Sequence, residues 1–137
     1  MPKEKLLFVT PHLSTGGMPQ YVVKLVETLK QAYDIYVLEY HDYSPEYVVQ
    51  KNALKKMLGD HVITFYGNDE SKDNQFFELI NKIKPNIIHL QEIPEMWMTS
   101  FAANKLYNKN RQYKIVETSH DSGFKAENKR FARPGRH

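Results

Sequence analysis

The sequence predicts an α/β fold in which a doubly wound parallel sheet is covered by helices on both sides. Apolar runs of strand length recur five times along the 137 residues. Stretches with helical periodicity lie between them, and the connections are short. Because parallel strands need long crossover connections, which are usually helices, this regular alternation favours a sheet whose strands are all parallel.

The first predicted strand and helix flank a glycine-rich turn. Residues 6–9 form an apolar strand, residues 10–17 break it with Pro11 and two adjacent glycines, and a helical period begins at Met18. Pro19 suits the first turn of a helix. Such a turn lets a phosphate approach backbone N–H groups at the positive end of the helix dipole. The alternative is a tight strand-to-helix connection without a ligand.

The remaining elements follow in order. Further strands are expected over residues 34–40, 61–66, 86–91 and 114–119. A second helix is expected over residues 46–58, with Gly59 ending it. The third helix begins near Phe76 after a polar loop or cap that runs to Asp73, and it ends before Pro85. The fourth turns directly out of residues 92–95 and includes Trp97.

Spacing also assigns the large side chains and the histidines. Four aromatic residues are predicted to lie in the core: Phe76, Phe77, Trp97 and Phe101. His89 lies inside a buried strand pattern and is predicted to be a hydrogen-bonded core histidine rather than a ligand. His41 and His61 are assigned to the surface.

Right-handed crossovers then give a Rossmann-like topology with the strand order 3-2-1-4-5. Ligands of such sheets bind at the carboxyl ends of the strands, where the strand order reverses. Polar residues follow three strands at this edge: His12, Gln91, Glu92, His120 and Asp121. Each has a simpler explanation as well. His12 fits an exposed loop, and Glu92 fits a carboxylate that complements a helix dipole.

The length fits one domain, assigned to residues 1–124, followed by a basic, mobile extension over residues 125–137. The chain has no cysteine, so it forms no disulfide, and no apolar run reaches the length of a membrane span. The first strand follows Lys5 directly, which leaves no room for a signal peptide. The expected location is the cytoplasm.

The formal charge of +3 is concentrated at one end. Residues 125–137 hold five cationic side chains and one glutamate, whereas residues 1–124 sum to −1. This distribution argues against nucleic acid as the main partner of the domain. Contact of the extension with nucleic acid or with the inner face of an anionic membrane stays open, and salt would weaken it.

Several other chemistries lack their motifs. The adjacent glycines do not form G-x-G-x-x-G, no lysine follows them as in a P-loop, and G-x-S-x-G is missing. His89 and Glu92 do not have the spacing of a helical zinc-protease motif. Glu39 falls where a ribose-binding carboxylate would lie, which leaves a dinucleotide site open as a disfavoured alternative.

Three stretches together resemble the N-terminal domain of a GT-B glycosyltransferase of the family 4 type. They are residues 7–17 (LFVTPHLSTGG), residues 84–92 (KPNIIHLQE) and residues 116–121 (VETSHD). The resemblance covers residues 5–131. It implies two Rossmann-like domains that face a cleft, with the acceptor on the N-terminal domain and a nucleotide sugar mostly on the C-terminal one. It also implies transfer with retention to a glycan, lipid or protein, without a metal or other cofactor.

The resemblance also assigns roles to residues. Gly16 and Gly17 would offer backbone N–H groups to the donor diphosphate, beside Asp121. His120 would act as the catalytic residue against the transferred sugar or its phosphate. His12 and Glu92 would face the acceptor.

The donor-binding half that the resemblance implies is not part of these 137 residues. We therefore expect the chain alone to be inactive as a transferase. The alternative function from another class is a stand-alone Rossmann-like module that binds a nucleotide or phosphate.

Overall fold

The computed structural model describes residues 3–13, 17–41, 49–92 and 94–118. Within them the elements are, in chain order, β1 (Glu4–Thr10), α1 (Gly17–Leu29), β2 (Tyr33–Glu39), α2 (Val49–Leu58), β3 (Val62–Thr64), α3 (Asp69–Ile83), β4 (Ile87–Gln91), α4 (Ser100–Leu106) and β5 (Lys114–Thr118). The strands form one parallel sheet in the order β3-β2-β1-β4-β5. The predicted fold class and strand order are confirmed.

Two hydrophobic cores lie on opposite faces of the sheet. Leu7 and Val9 of β1 pack in one core with residues of α3 and α4. Leu6 and Phe8 of the same strand pack in the other core with residues of α1 and α2. All four side chains are buried, as expected of a central parallel strand that is covered on both faces.

Helix α3 begins earlier than the sequence predicted. The side chain of Asn68 accepts a hydrogen bond from the Ser71 amide at 2.8 Å and so caps the helix at its start. Asp69 and Glu70 in the first turn complement the helix dipole. The polar run to Asp73 therefore forms the first turns of the helix instead of a loop.

The predicted fourth helix is displaced along the chain. A 3₁₀ turn spans Pro94–Met96, and Trp97 is buried before the helix begins. Thr99 caps α4 by accepting a hydrogen bond from the Ala102 amide at 3.1 Å. Because this later start sets the helical phase, Ala102 faces the core and Phe101 points outward with 73% of its surface exposed. The prediction that Phe101 is a core residue is wrong.

The two histidines assigned to the surface are half-buried instead. Nδ1 of His61 lies 3.0 Å from the carbonyl oxygen of Ile35, and its ring stacks on Tyr36 with centroids 4.0 Å apart. His61 belongs to a 3₁₀ turn over Gly59–His61, so β3 is shorter than predicted.

The first turn of the second predicted helix and the basic extension over residues 125–137 lie outside the described ranges. In the described part of the chain, no helix has the length and apolar character needed to cross a bilayer.

Candidate functional site

The strand order reverses between β1 and β4. Strands β2 and β3 extend the sheet on one side of β1, and β4 and β5 extend it on the other side. The loops that follow β1 and β4 therefore leave the sheet side by side at its carboxyl edge, which is where ligands bind in doubly wound folds. His12 lies in the first loop and Glu92 begins the second, so the structure brings these two predicted residues to one edge.

The loop after β1 is held by hydrogen bonds on both sides of His12. The Thr10 hydroxyl donates to the carbonyl oxygen of His12 at 3.0 Å. The Leu13 amide donates to Oε2 of Glu39 at 2.7 Å, and the Leu13 side chain is fully buried. The amide of His41 donates to the carbonyl oxygen of Pro11 at 2.9 Å. These bonds fix the backbone on both sides of His12.

Glu39 is the anchor of this loop. Its carboxylate receives Lys51 Nζ at 2.8 Å and the Thr64 hydroxyl at 3.0 Å on Oε1, in addition to the Leu13 amide on Oε2. Glu39 is 2% exposed and Lys51 is 8% exposed. A carboxylate that is buried and bonded to three protein donors is not placed to bind a ribose, so the geometry argues against a dinucleotide site at Glu39.

His12 is half-buried in the loop that follows β1. Burial lowers the pKa of its imidazole below the usual 6.5, and the charge of Glu39 opposes this shift. The neutral form is therefore favoured near pH 7. A neutral imidazole both donates and accepts a hydrogen bond, which suits a ligand that carries hydroxyl groups.

Glu92 has an uncommon backbone conformation. Its φ is +73°, in the left-handed region that a residue with a Cβ rarely adopts. Its amide donates to the carbonyl oxygen of Thr118 at 2.7 Å, so the hydrogen bonding between β4 and β5 continues through it. Backbone strain of this kind is concentrated at binding and active sites.

A second polar cluster, which sequence reasoning missed, follows β2. Nε2 of His41 lies 2.6 Å from the carbonyl oxygen of Trp97, and Lys72 Nζ lies 2.8 Å from Nδ1. A carbonyl only accepts and an ammonium only donates, so these partners select the neutral tautomer with its proton on Nε2. His41 thereby joins the end of β2 to α3 and to the turn before α4.

Beside it, Asp73 joins three elements in the core. Tyr40 donates its hydroxyl proton to one carboxylate oxygen of Asp73, and Thr99 donates to the other at 2.5 Å. Burial first, and then the hydrogen bond to Asp73, raise the pKa of the Tyr40 hydroxyl, so it keeps its proton as a donor. One signal could have revealed Asp73: it occupies the apolar face of α3, three residues before Phe76.

His89 makes the hydrogen bond that its position predicted. Its Nε2 lies 2.7 Å from the Thr118 hydroxyl, and its ring centroid is 5.0 Å from that of Phe8. It is half-buried and links β4 to β5 close to Glu92.

The residues predicted for the donor side are described only in part. Gly17 is the first residue of α1, so a helix does begin at the end of the glycine-rich turn. The roles assigned to Gly16, His120 and Asp121 fall on residues outside the described ranges. Within those ranges no group of three or more histidine, aspartate or glutamate side chains is arranged to hold a metal ion.

Comparison with known proteins adds no relative: no family model matches the chain, and no curated protein is significantly similar to it. The functional argument therefore depends on the geometry of the carboxyl edge.

Proposed function

We propose that this chain is the acceptor-side domain of a GT-B type glycosyltransferase, which transfers a sugar from a nucleotide sugar to a glycan, lipid or protein. The observation that supports it best is the edge between β1 and β4, where the strand order reverses. His12, whose loop is fixed by hydrogen bonds, and Glu92, whose backbone is left-handed, lie in the two loops at that edge. The resemblance of the three sequence stretches supplies the reaction.

In this proposal His12 and Glu92 bind the acceptor. The neutral imidazole of His12 donates a hydrogen bond to a sugar hydroxyl from one ring nitrogen or accepts one on the other. The carboxylate of Glu92 accepts hydrogen bonds from neighbouring hydroxyl groups of that substrate. Its negative charge makes these hydrogen bonds stronger than bonds between neutral groups.

The donor diphosphate lies at the start of α1. Backbone N–H groups of Gly16 and Gly17 stabilise the charge that builds on the leaving nucleotide, helped by the dipole of a 13-residue helix. His120 and Asp121 contact the transferred sugar or its phosphate. A second domain supplies most of the donor site, so the 137-residue chain alone does not transfer sugar.

The experiment compares the 137-residue chain with the longest continuous reading frame that contains it. Both are incubated with radiolabelled UDP-, GDP- and ADP-hexoses and with glycan and lipid extracts of the source cells. We expect transfer only by the longer polypeptide. No transfer by either, together with nucleotide binding by the 137-residue chain, would replace this proposal with a nucleotide-binding module.

A matched pair of histidine variants then locates the site. His12→Ala in the active polypeptide should lower kcat/KM by about tenfold, the size expected for the loss of one hydrogen bond between neutral groups. His61→Ala is the control, because His61 is also half-buried but precedes β3 at the opposite edge of the sheet. Equal losses in both variants would remove His12 from the acceptor site.

A further inference from the structure

A separate cavity lies at the amino edge of the sheet, opposite the candidate site. Its volume is about 660 Å³, within the range of small-molecule pockets. It is bordered by Lys84 and Asn86 before β4 and by Gln112 and Tyr113 before β5. The last turns of α3 and α4 complete its walls, so four segments of the chain meet there.

The charged side chains that line the cavity are all positive. Lys84, Lys105 and Arg111 line it from three different segments: the end of α3, the last turn of α4 and the loop before β5. None of the described residues that line it is acidic. Such a concentration of like charge with no counter-charge is typical of an anion site.

A simpler explanation is that the cations complement the negative ends of α3 and α4. Arg111 does donate to the carbonyl of Tyr107 at the end of α4, but other donors serve both ends as well. Lys5 Nζ donates to the carbonyl oxygen of Ile83 at 3.0 Å, and the Tyr113 hydroxyl donates to that of Leu106 at 2.7 Å. Each helix end carries about half a negative charge, so three full positive charges exceed what the two ends require.

Two of the cations are held in place. Lys105 Nζ lies 4.5 Å from the centre of the Phe77 ring, a cation–π contact that keeps the ammonium group on the cavity wall. Nη1 of Arg111 donates to the carbonyl oxygens of Tyr107 and Asn108 at 3.4 and 3.2 Å. These bonds fix one side of the guanidinium plane, whose remaining N–H groups match the oxygens of a phosphate.

The rest of the lining is rich in amide side chains: Asn81, Asn86, Asn108, Asn110 and Gln112. Amides both donate and accept, so they recognise hydroxyl and phosphate oxygens without adding charge.

We propose that this cavity binds a small phosphate-bearing ligand through Lys84, Lys105 and Arg111. The volume accommodates a phosphorylated molecule of about the size of a sugar phosphate or a nucleotide. The phosphate group comes either from a soluble molecule or from a lipid headgroup. This inference does not depend on the proposed transferase function, because the cavity lies at the other edge of the sheet.

The amide side chains provide the readout. In ¹⁵N-labelled protein, inorganic pyrophosphate and glucose 6-phosphate are titrated to millimolar concentration, and vesicles with and without phosphatidylglycerol are added in parallel. We expect the side-chain NH₂ signals of the lining asparagines and Gln112 to shift on saturation. Shifts with soluble probes identify a soluble ligand, and shifts or line broadening with phosphatidylglycerol vesicles alone identify a headgroup.

The double variant Lys84→Gln/Lys105→Gln tests the assignment. We expect it to weaken binding at least tenfold, because it removes two charge-assisted hydrogen bonds to the phosphate. The control Lys24→Gln/Lys56→Gln makes the same change of net charge at exposed positions on α1 and α2. Equal weakening in the control, shifts confined to other residues, or no binding of any probe would overturn the proposal.

Discussion

The amide of Leu13 donates a hydrogen bond to the carboxylate of Glu39 at 2.7 Å, 26 positions along the chain. This bond makes the end of β2 a backbone anchor for the loop that carries His12. Because Glu39 is itself paired with Lys51 at 2.8 Å, the geometry of this loop depends on a buried salt bridge.

Lys51→Met should destabilise the fold. The substitution keeps the length of the side chain but leaves the buried carboxylate of Glu39 without its counter-charge. Breaking a buried pair from one side costs about 3–5 kcal/mol, and the two remaining donors to Glu39 place this case near the lower end, at about 3 kcal/mol. Urea unfolding measures the change.

Lys55→Met is the control for that measurement, because Lys55 is exposed on the same helix. We expect it to stay within about 0.5 kcal/mol of the unchanged protein. If the two variants had the same stability, the salt bridge would not hold the loop.

The titration of His12 should make stability depend on pH. Its folded pKa lies below the unfolded value of 6.5, so the unfolded chain binds more protons around and below that value. The free energy of unfolding should therefore be highest above pH 6.5 and should fall as the pH drops through the folded pKa of His12. His12→Gln removes this contribution, so urea midpoints of the variant should decline less between about pH 7.5 and pH 5. A decline as steep as that of the unchanged protein would contradict the burial of His12.

Glu92→Gly should raise the free energy of unfolding. The φ of +73° costs a residue with a Cβ about 1 kcal/mol, and glycine avoids this cost. Glu92→Ala is the matched comparison, since it removes the same carboxylate but keeps the Cβ. We expect the glycine variant to be more stable than the alanine variant by about 0.5–1 kcal/mol, the reverse of the order in a regular helix or strand. If the alanine variant were the more stable of the two, the backbone at Glu92 would not be strained.

Tyr40→Phe should cost about 2 kcal/mol, because it leaves a buried oxygen of Asp73 without its donor. Tyr36→Phe serves as the control: it removes the hydroxyl of a half-buried tyrosine that stacks on His61. We expect the control to change stability by less than about 0.5 kcal/mol. Thermal or chemical unfolding of both variants compares the two hydroxyls, and equal costs would count against the Asp73 cluster as a stabilising feature.

The strand order was predictable because local patterns indicate a doubly wound sheet, in which this order is common. β1 is apolar at every position from Leu6 to Val9, as expected of a parallel strand covered on both faces, and right-handed crossovers allow helices on both sides of the sheet. The beginnings of helices were harder to predict. Asn68 and the acidic residues after it have the pattern of a helix start. For the fourth helix two starts were possible from the sequence, one directly after Glu92 and one at Thr99.

The candidate site was predictable only where strand ends dictate it. His12 and Glu92 follow from the rule that ligands bind at the carboxyl edge. The pairing of Glu39 with Lys51 joins β2 to α2 across 12 positions, and no local period specifies it. The contacts of His41 come from three separate segments, so they appear only once the helices have packed.

The pairing of β1 with β4 has a consequence for the newborn chain. Lys5 and Asn86, which flank this pairing, are 81 positions apart, and β1 leaves the ribosome before β4 does. Until β4 has emerged, one edge of the central strand lacks its neighbour and the side chains of Leu7 and Val9 lack part of their cover. Any half-sheet β3-β2-β1 that forms before β4 emerges has an open edge at β1, and such an edge is prone to pair with other chains.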